Sequence, residues 1–102
     1  MKNKIVEEEM YYILFYDTIK DYVEKRISFR EKHLSYAKAA FERGELLMAG
    51  ALDNPVDKAV LIFRGHDSSA AEKFVKNDPY YLNGLITSWE IRPWAVVIGG
   101  EG

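Results

Sequence analysis

Hydrophobic positions change their period several times along this 102-residue chain, and each change marks an element. Met10 to Tyr16 (MYYILFY) is a continuous apolar and aromatic run, rich in β-formers and too short for a stable helix, which predicts a first strand. It is apolar on both faces and so needs cover on each side. Asp17 to Asp21 is a polar connector. From Tyr22 to Arg43 the period becomes helical, with Val23, Ile27, Leu34, Ala37 and Phe41 recurring along one stripe and Gly44 supplying the stop. Leu46 to Ala51 and Lys58 to Arg64 predict two further strands, joined by the turn residues Asn54-Pro55-Val56-Asp57. Ser69 to Glu72 has the spacing of a capping box, so a second helix should start there and run to about Asn77, ended by Pro79. Tyr80 to Gly84 is a loop or single helical turn. Leu85, Thr87, Trp89 and Ile91 then alternate with Ile86, Ser88, Glu90 and Arg92, the period of a fourth strand. Pro93 should end that strand, leaving Trp94 to Ile98 for a short edge strand.

The order β-α-β-β-α-β is that of an α+β, ferredoxin-like domain with an antiparallel sheet and both helices on one face. The doubly apolar strands leave the other face in need of cover. A second copy is the expected cover, giving a homodimer with its sheets packed face to face. Residues 1–9 are polar and acidic and read as a loosely held extension, 10–98 as the single domain and 99–102 as a flexible tail.

Composition changes this picture mainly by exclusion. A hydrophobic fraction of 48% with 14% aromatic residues belongs to a folded globule. A formal charge of −2 without a basic stripe argues against nucleic-acid binding. The chain has no cysteine, which removes disulfides, thiolate metal sites and a cysteine nucleophile. Asp53, Asp57 and Asp67 lie in separate turns without ligand spacing, and no phosphate-binding glycine loop or serine elbow occurs, so neither metal nor cofactor is expected. No segment reaches the roughly 20 apolar residues of a membrane span, and MKNKIVEEE lacks the apolar stretch of a signal peptide. The expected compartment is the cytoplasm.

Candidate chemistry gathers around Asp78. Proline disfavours helix for the residue before it, so Asp78-Pro79 should hold this carboxylate in extended backbone just past a helix. In such a place it either accepts nearby backbone N–H groups or orients another polar side chain. His33 is the best candidate for that side chain, since it lies with Arg26 on one flank of the helical stripe and imidazole titrates near neutral pH. Arg30 falls inside the stripe, where a permanent charge calls for a salt bridge or a bound anion. Tyr12, Tyr80 and Trp94 are the candidates for an aromatic pocket wall.

Several blocks together carry a resemblance. Arg30-x-x-His33-Leu34, Gly44-x-Leu46-Leu47-x-Ala49-Gly50, Asp78-Pro79-Tyr80, Gly84-Leu85 and Ile91-Arg92-Pro93-Trp94 run in the order seen in the YCII-related family, from about Tyr12 to Val97. The chain resembles that family outside its acidic N-terminal extension. The resemblance implies a dimeric α+β barrel and a histidine–aspartate pair that maps onto His33 and Asp78. One family member is a dehydrochlorinase of a chlorinated hydroxyquinol-type aromatic, and the fold is similar to that of muconolactone isomerases. The expected function is thus a cofactor-independent lyase or isomerase acting on a small anionic or phenolic metabolite. The alternative is a non-catalytic dimeric module that binds a small molecule or supports an assembly; a third is a cofactor-free oxygenase.

Overall fold

In the computed structural model, which describes residues 9–100, the first apolar run is strand β1 (Met10–Thr18). It is followed by a short helix α1 (Tyr22–Lys25), a 3₁₀ turn (Arg26–Phe29), helix α2 (Arg30–Glu42) and the hairpin strands β2 (Leu46–Ala51) and β3 (Lys58–Gly65). Helix α3 (Ser69–Asn77), the single turn α4 (Pro79–Leu82) and strand β4 (Ile86–Trp94) complete the domain. The four strands form one antiparallel sheet in the order β2-β3-β1-β4. Two strands therefore meet in the middle that are far apart in sequence, as the ferredoxin-like reading requires. The expected loose extension and tail fall largely on residues 1–8 and 101–102, outside the described residues. Among the described residues no helix is long and apolar enough to cross a membrane.

Alternation along β1 decides which face meets the helices. Tyr12, Leu14 and Tyr16 are buried, in step with Ala59, Leu61 and Phe63 of β3. Helix α3 lays Ala71, Phe74 and Val75 on that face, and Phe74 packs edge-on to Phe63 with ring centroids 5.3 Å apart. Tyr36 of α2 touches the same ring at 4.7 Å and donates its hydroxyl to the Phe74 carbonyl at 2.9 Å. On the opposite face Ile13, Val60 and Ile62 are half-buried and Phe15 is exposed.

Three expectations are corrected. The helix predicted from Tyr22 to Arg43 is broken by the 3₁₀ turn, and of the stripe drawn through it only Ala37 is buried in the core. Four residues at three per turn advance the chain by about 80° more than α-helical geometry would, so upstream and downstream positions fall out of phase. Val23, Ile27, Leu34 and Phe41 are all exposed, and α2 meets the sheet through Ala37 and Ala40. Strand β4 does not stop at Pro93; Tyr12 pairs with Pro93 and Tyr11 with Trp94, and no separate strand follows. An edge strand tolerates a missing N–H that faces away from its neighbour, and β4 is an edge. A register shift near Asp17 and Thr18 also resets the alternation, so both Ile86 and Trp89 turn inward. Finally, Ser68 rather than Ser69 stands at the N-cap of α3, without a side-chain cap bond to the backbone; its hydroxyl donates to Glu72, and the Asp67 carboxylate accepts the Ser69 N–H at 2.9 Å.

The inverted face of α2 gives a direct test in urea unfolding. Phe74→Ala should cost about 3–5 kcal/mol, as expected for emptying a core aromatic site. Phe41→Ser, which the stripe would place in the core, should change stability by only about 0.5 kcal/mol.

Candidate active site

Asp78 sits where α3 ends and α4 begins, with extended backbone (φ −68°, ψ 125°) imposed by the following proline. Pro79 has no N–H to leave orphaned at the first position of α4, and the Asp78 carboxylate caps the turn by accepting the Tyr80 N–H at 3.0 Å. That local contact is only part of its role. The side chain has no solvent exposure, and two residues from other elements also reach it. Tyr16 of β1 donates its hydroxyl to Oδ2 at 2.7 Å, and His33 of α2 places Nδ1 2.7 Å from Oδ1.

Three donors around one buried carboxylate fix its chemistry. A buried charge is costly unless it is hydrogen-bonded on its available lone pairs, and an ionised carboxylate is the form that accepts from all three. With the carboxylate as acceptor, the Nδ1–H tautomer of His33 is the one that completes this set, and it leaves the Nε2 lone pair free. Next to this carboxylate the Tyr16 phenol is pushed far above its ordinary pKa, first by burial and then by the charge and hydrogen bond of Asp78. In its neutral form it donates to Asp78.

His33 is held from its flat side as well. Its imidazole stacks on the Tyr80 ring with centroids 3.8 Å apart and planes 4° from parallel. Tyr22 meets Tyr80 edge-on at 5.8 Å, and the Arg26 guanidinium lies 5.2 Å over the Tyr22 ring. With hydrogen bond and stacking combined, the imidazole has one orientation.

The ring lines a cavity of 480 Å³ between α2 and β2, of the size that small-molecule sites occupy. Small residues create the space: Ala37 on the helix, Ala59 on β3, and Ala49, Gly50 and Ala51 on β2. The polar side chains on its wall are Tyr16, Tyr22, Tyr80, His33 and three cations, Arg26, Arg30 and Lys38. No aspartate or glutamate lines it among the described residues, although the chain as a whole carries a charge of −2. Of the two partners expected for Arg30, a salt bridge or a bound anion, the first is not found among the described residues. Its head is exposed at the cavity. Among the described residues no cluster of three or more histidine or acidic side chains could hold a metal ion.

His33, Asp78, Arg30 and Tyr80 are thus brought together. Tyr12 and Trp94 are not. Tyr12 faces the helices, but four residues along β1 from Tyr16 is about 13 Å, and it packs at the other end of the core. Trp94 pairs with Tyr11 and is half exposed, in phase with the opposite face of the sheet. Sequence reasoning missed Tyr16 and Tyr22 as site residues. Tyr16 was legible only through its phase with Leu14 across β1, and the continuous apolar run conceals that phase.

Comparisons with known proteins bear on the family and the fold. The model of the YCII-related domain matches residues 10–95. An uncharacterised protein of Haemophilus influenzae is 31% identical over 97 residues, covering 86% of this chain and 99% of its own. Among solved structures, 5-chloro-2-hydroxyhydroquinone dehydrochlorinase from Burkholderia phenoliruptrix, in complex with 2,5-dihydroxybenzoquinone, superposes with a TM-score of 0.71 at 19% identity. That match covers 84% of this chain and 94% of the other. A nipsnap family protein of unknown function from Agrobacterium tumefaciens matches at a TM-score of 0.56 and 17% identity, over 86% of this chain and 87% of its own.

The Tyr16 contact predicts a measurable pH dependence. Tyr16→Phe removes a hydrogen bond to a charged group and should cost about 1.5–3 kcal/mol. Because the folded phenol titrates above its unfolded value near 10, its stabilising contribution is complete below pH 10 and is lost as pH rises beyond that. Denaturation midpoints should therefore fall less steeply above pH 10 in Tyr16→Phe than in the wild type.

Proposed function

The chain belongs to the YCII-related domain family, and on that footing we propose that it is a small-molecule lyase or isomerase whose working group is His33. The observation that carries this reading is an imidazole on a cavity wall, held at Nδ1 by a buried carboxylate and across its face by Tyr80. A half-buried structural histidine needs neither restraint. Oriented in this way, Nε2 removes a proton from a carbon next to a carbonyl, and the released electron pair moves to the carbonyl oxygen. The resulting enolate then expels a leaving group with its bonding pair, or takes the proton back at another carbon. Asp78 remains ionised and stabilises the imidazolium formed in between. Arg30 neutralises the oxyanion, a contribution of several kcal/mol once water is displaced. The likeness to a dehydrochlorinase of a hydroxylated aromatic favours a planar, anionic or phenolic substrate.

Turnover of 5-chloro-2-hydroxyhydroquinone and of unsaturated lactones, followed by chloride release and absorbance, tests the reading. His33→Ala should lower kcat/KM about 10²- to 10⁴-fold with the fold intact. In ¹⁵N NMR the neutral His33 ring should appear as the Nδ1–H tautomer and lose that preference in Asp78→Asn. A His33→Ala protein that keeps full turnover, or a tautomer indifferent to Asp78, leaves a binding module as the better description.

The same proposal includes a homodimer. Ile13, Phe15, Val60 and Ile62 form an apolar patch on the sheet face that no helix covers. A second sheet is the cover that suits a flat apolar face of this kind. Sedimentation at micromolar concentration should give twice the chain mass, and Phe15→Asp should return it to one. A wild-type monomer would sink this part of the proposal.

A further inference from the structure

The phenol oxygen of Tyr80 stands apart from the other polar atoms of the site. Tyr80 is 2% exposed, and its hydroxyl is buried with no hydrogen-bond partner among the described residues. Leaving such a group unpaired is destabilising by about 1–3 kcal/mol. The remaining contacts of the ring, its stack on His33 and its edge contact with Tyr22, are satisfied by carbon atoms alone and would serve a phenylalanine equally well. The hydroxyl is therefore unexplained by packing.

Its surroundings identify what it lacks. Burial raises the pKa of the Tyr80 phenol, with the Tyr22 phenol adding to the effect, while Arg30 and Arg26 pull it back. The group is neutral at physiological pH and offers a proton. Arg30 lies close enough to donate toward the phenol oxygen and offset part of that rise, but a guanidinium cannot accept the hydroxyl proton. Arg26, Arg30 and Lys38 are all donors, and no acidic side chain lines the cavity among the described residues. The three cations can only donate, and the Tyr22 hydroxyl and the His33 ring, which have atoms able to accept, do not bond to it in the structure. What is missing is an acceptor, and among three cations it is an anionic one.

We propose that Tyr80 contacts the substrate directly: its hydroxyl donates to a deprotonated oxygen that Arg30 neutralises, so the site selects enolates and phenolates over neutral isosteres. This rests on the reading of the cavity as the substrate site. Stacking places the hydroxyl beside the imidazole, so the anionic oxygen and the proton moved by His33 belong to one small ring system. Hydroxylated quinones and their phenol tautomers have that arrangement. The binding energy is also well placed for selectivity, since a site built to donate into an oxygen is left with a buried unpaired donor when that oxygen is capped.

Tyr80→Phe separates this role from a structural one, because the two move stability in opposite directions. Loss of a buried unpaired hydroxyl should leave the thermal midpoint unchanged or raise it, whereas loss of a structural hydrogen bond should lower it. Binding is read by calorimetry with 2,5-dihydroxybenzoquinone and its neutral analogue 2,5-dimethoxybenzoquinone. The wild type should prefer the acidic compound, and Tyr80→Phe should bind that compound about 10- to 100-fold more weakly, with little change for the ether. Equal binding of the acidic quinone by both proteins, or a destabilised Tyr80→Phe, overturns the assignment and leaves the role of His33 standing. Failure of the wild type to bind either quinone removes the substrate-site reading and the assignment together.

Discussion

A carboxylate without solvent contact stays ionised only while donors are held against it, and that constraint ties together every segment that reaches Asp78. Strand β1 contributes the Tyr16 hydroxyl from 62 residues away, helix α2 contributes His33 from 45 residues away, and the Asp-Pro turn contributes the Tyr80 N–H. The Tyr80 N–H is local, but neither side-chain donor is in reach until the sheet has formed with β1 in its interior and α2 has docked on it. The polar centre of the site therefore depends on the same long-range pairings that build the core. It also sets a condition on the helix, which must turn its histidine inward.

That condition explains the inverted character of α2. Leu34 and Phe41 stand exposed at the open rim of the cavity while Tyr36, Ala37 and Ala40 pack inward with His33, so the larger apolar residues are not the ones in the core. Burying Leu34 and Phe41 would gain area, but their bulk would hold the helix off the sheet. Ala37 and Ala40 let it approach closely enough for the imidazole to lie flat on Tyr80. The helix has exchanged hydrophobic contact for a fixed polar group, and the small residues of β2 opposite it keep the intervening space open.

Local chemistry was the part of this molecule most readily legible in the sequence. The hairpin between β2 and β3, the bounds of α3 and the turn at Asp78-Pro79 each follow from residues within a few positions of one another. Four of the candidate site residues, Arg30, His33, Asp78 and Tyr80, also converge as anticipated. What escaped were features set by three-dimensional competition. The 3₁₀ turn at Arg26–Phe29 has no strong breaker to announce it, and it shifts the phase of everything upstream. Tyr16 lies in a run where each residue looks equally apolar, so its partner could be recognised only once the strand had a face. Tyr12 and Trp94 were aromatic in the right family of places but on the wrong stretch of strand or the wrong side of the sheet.

The passage of β4 through Pro93 has a consequence for how this domain can meet its neighbours. Proline deletes one of the outward N–H groups along that edge, and Glu90 and Arg92 add exposed charge beside it. The other edge, β2, is only six residues long. Neither border is a good template for another strand, so sideways extension of the sheet is discouraged at both ends. Edge-to-edge pairing is thereby disfavoured relative to contact over a face, and face contact favours closed assemblies of defined size over open-ended stacking.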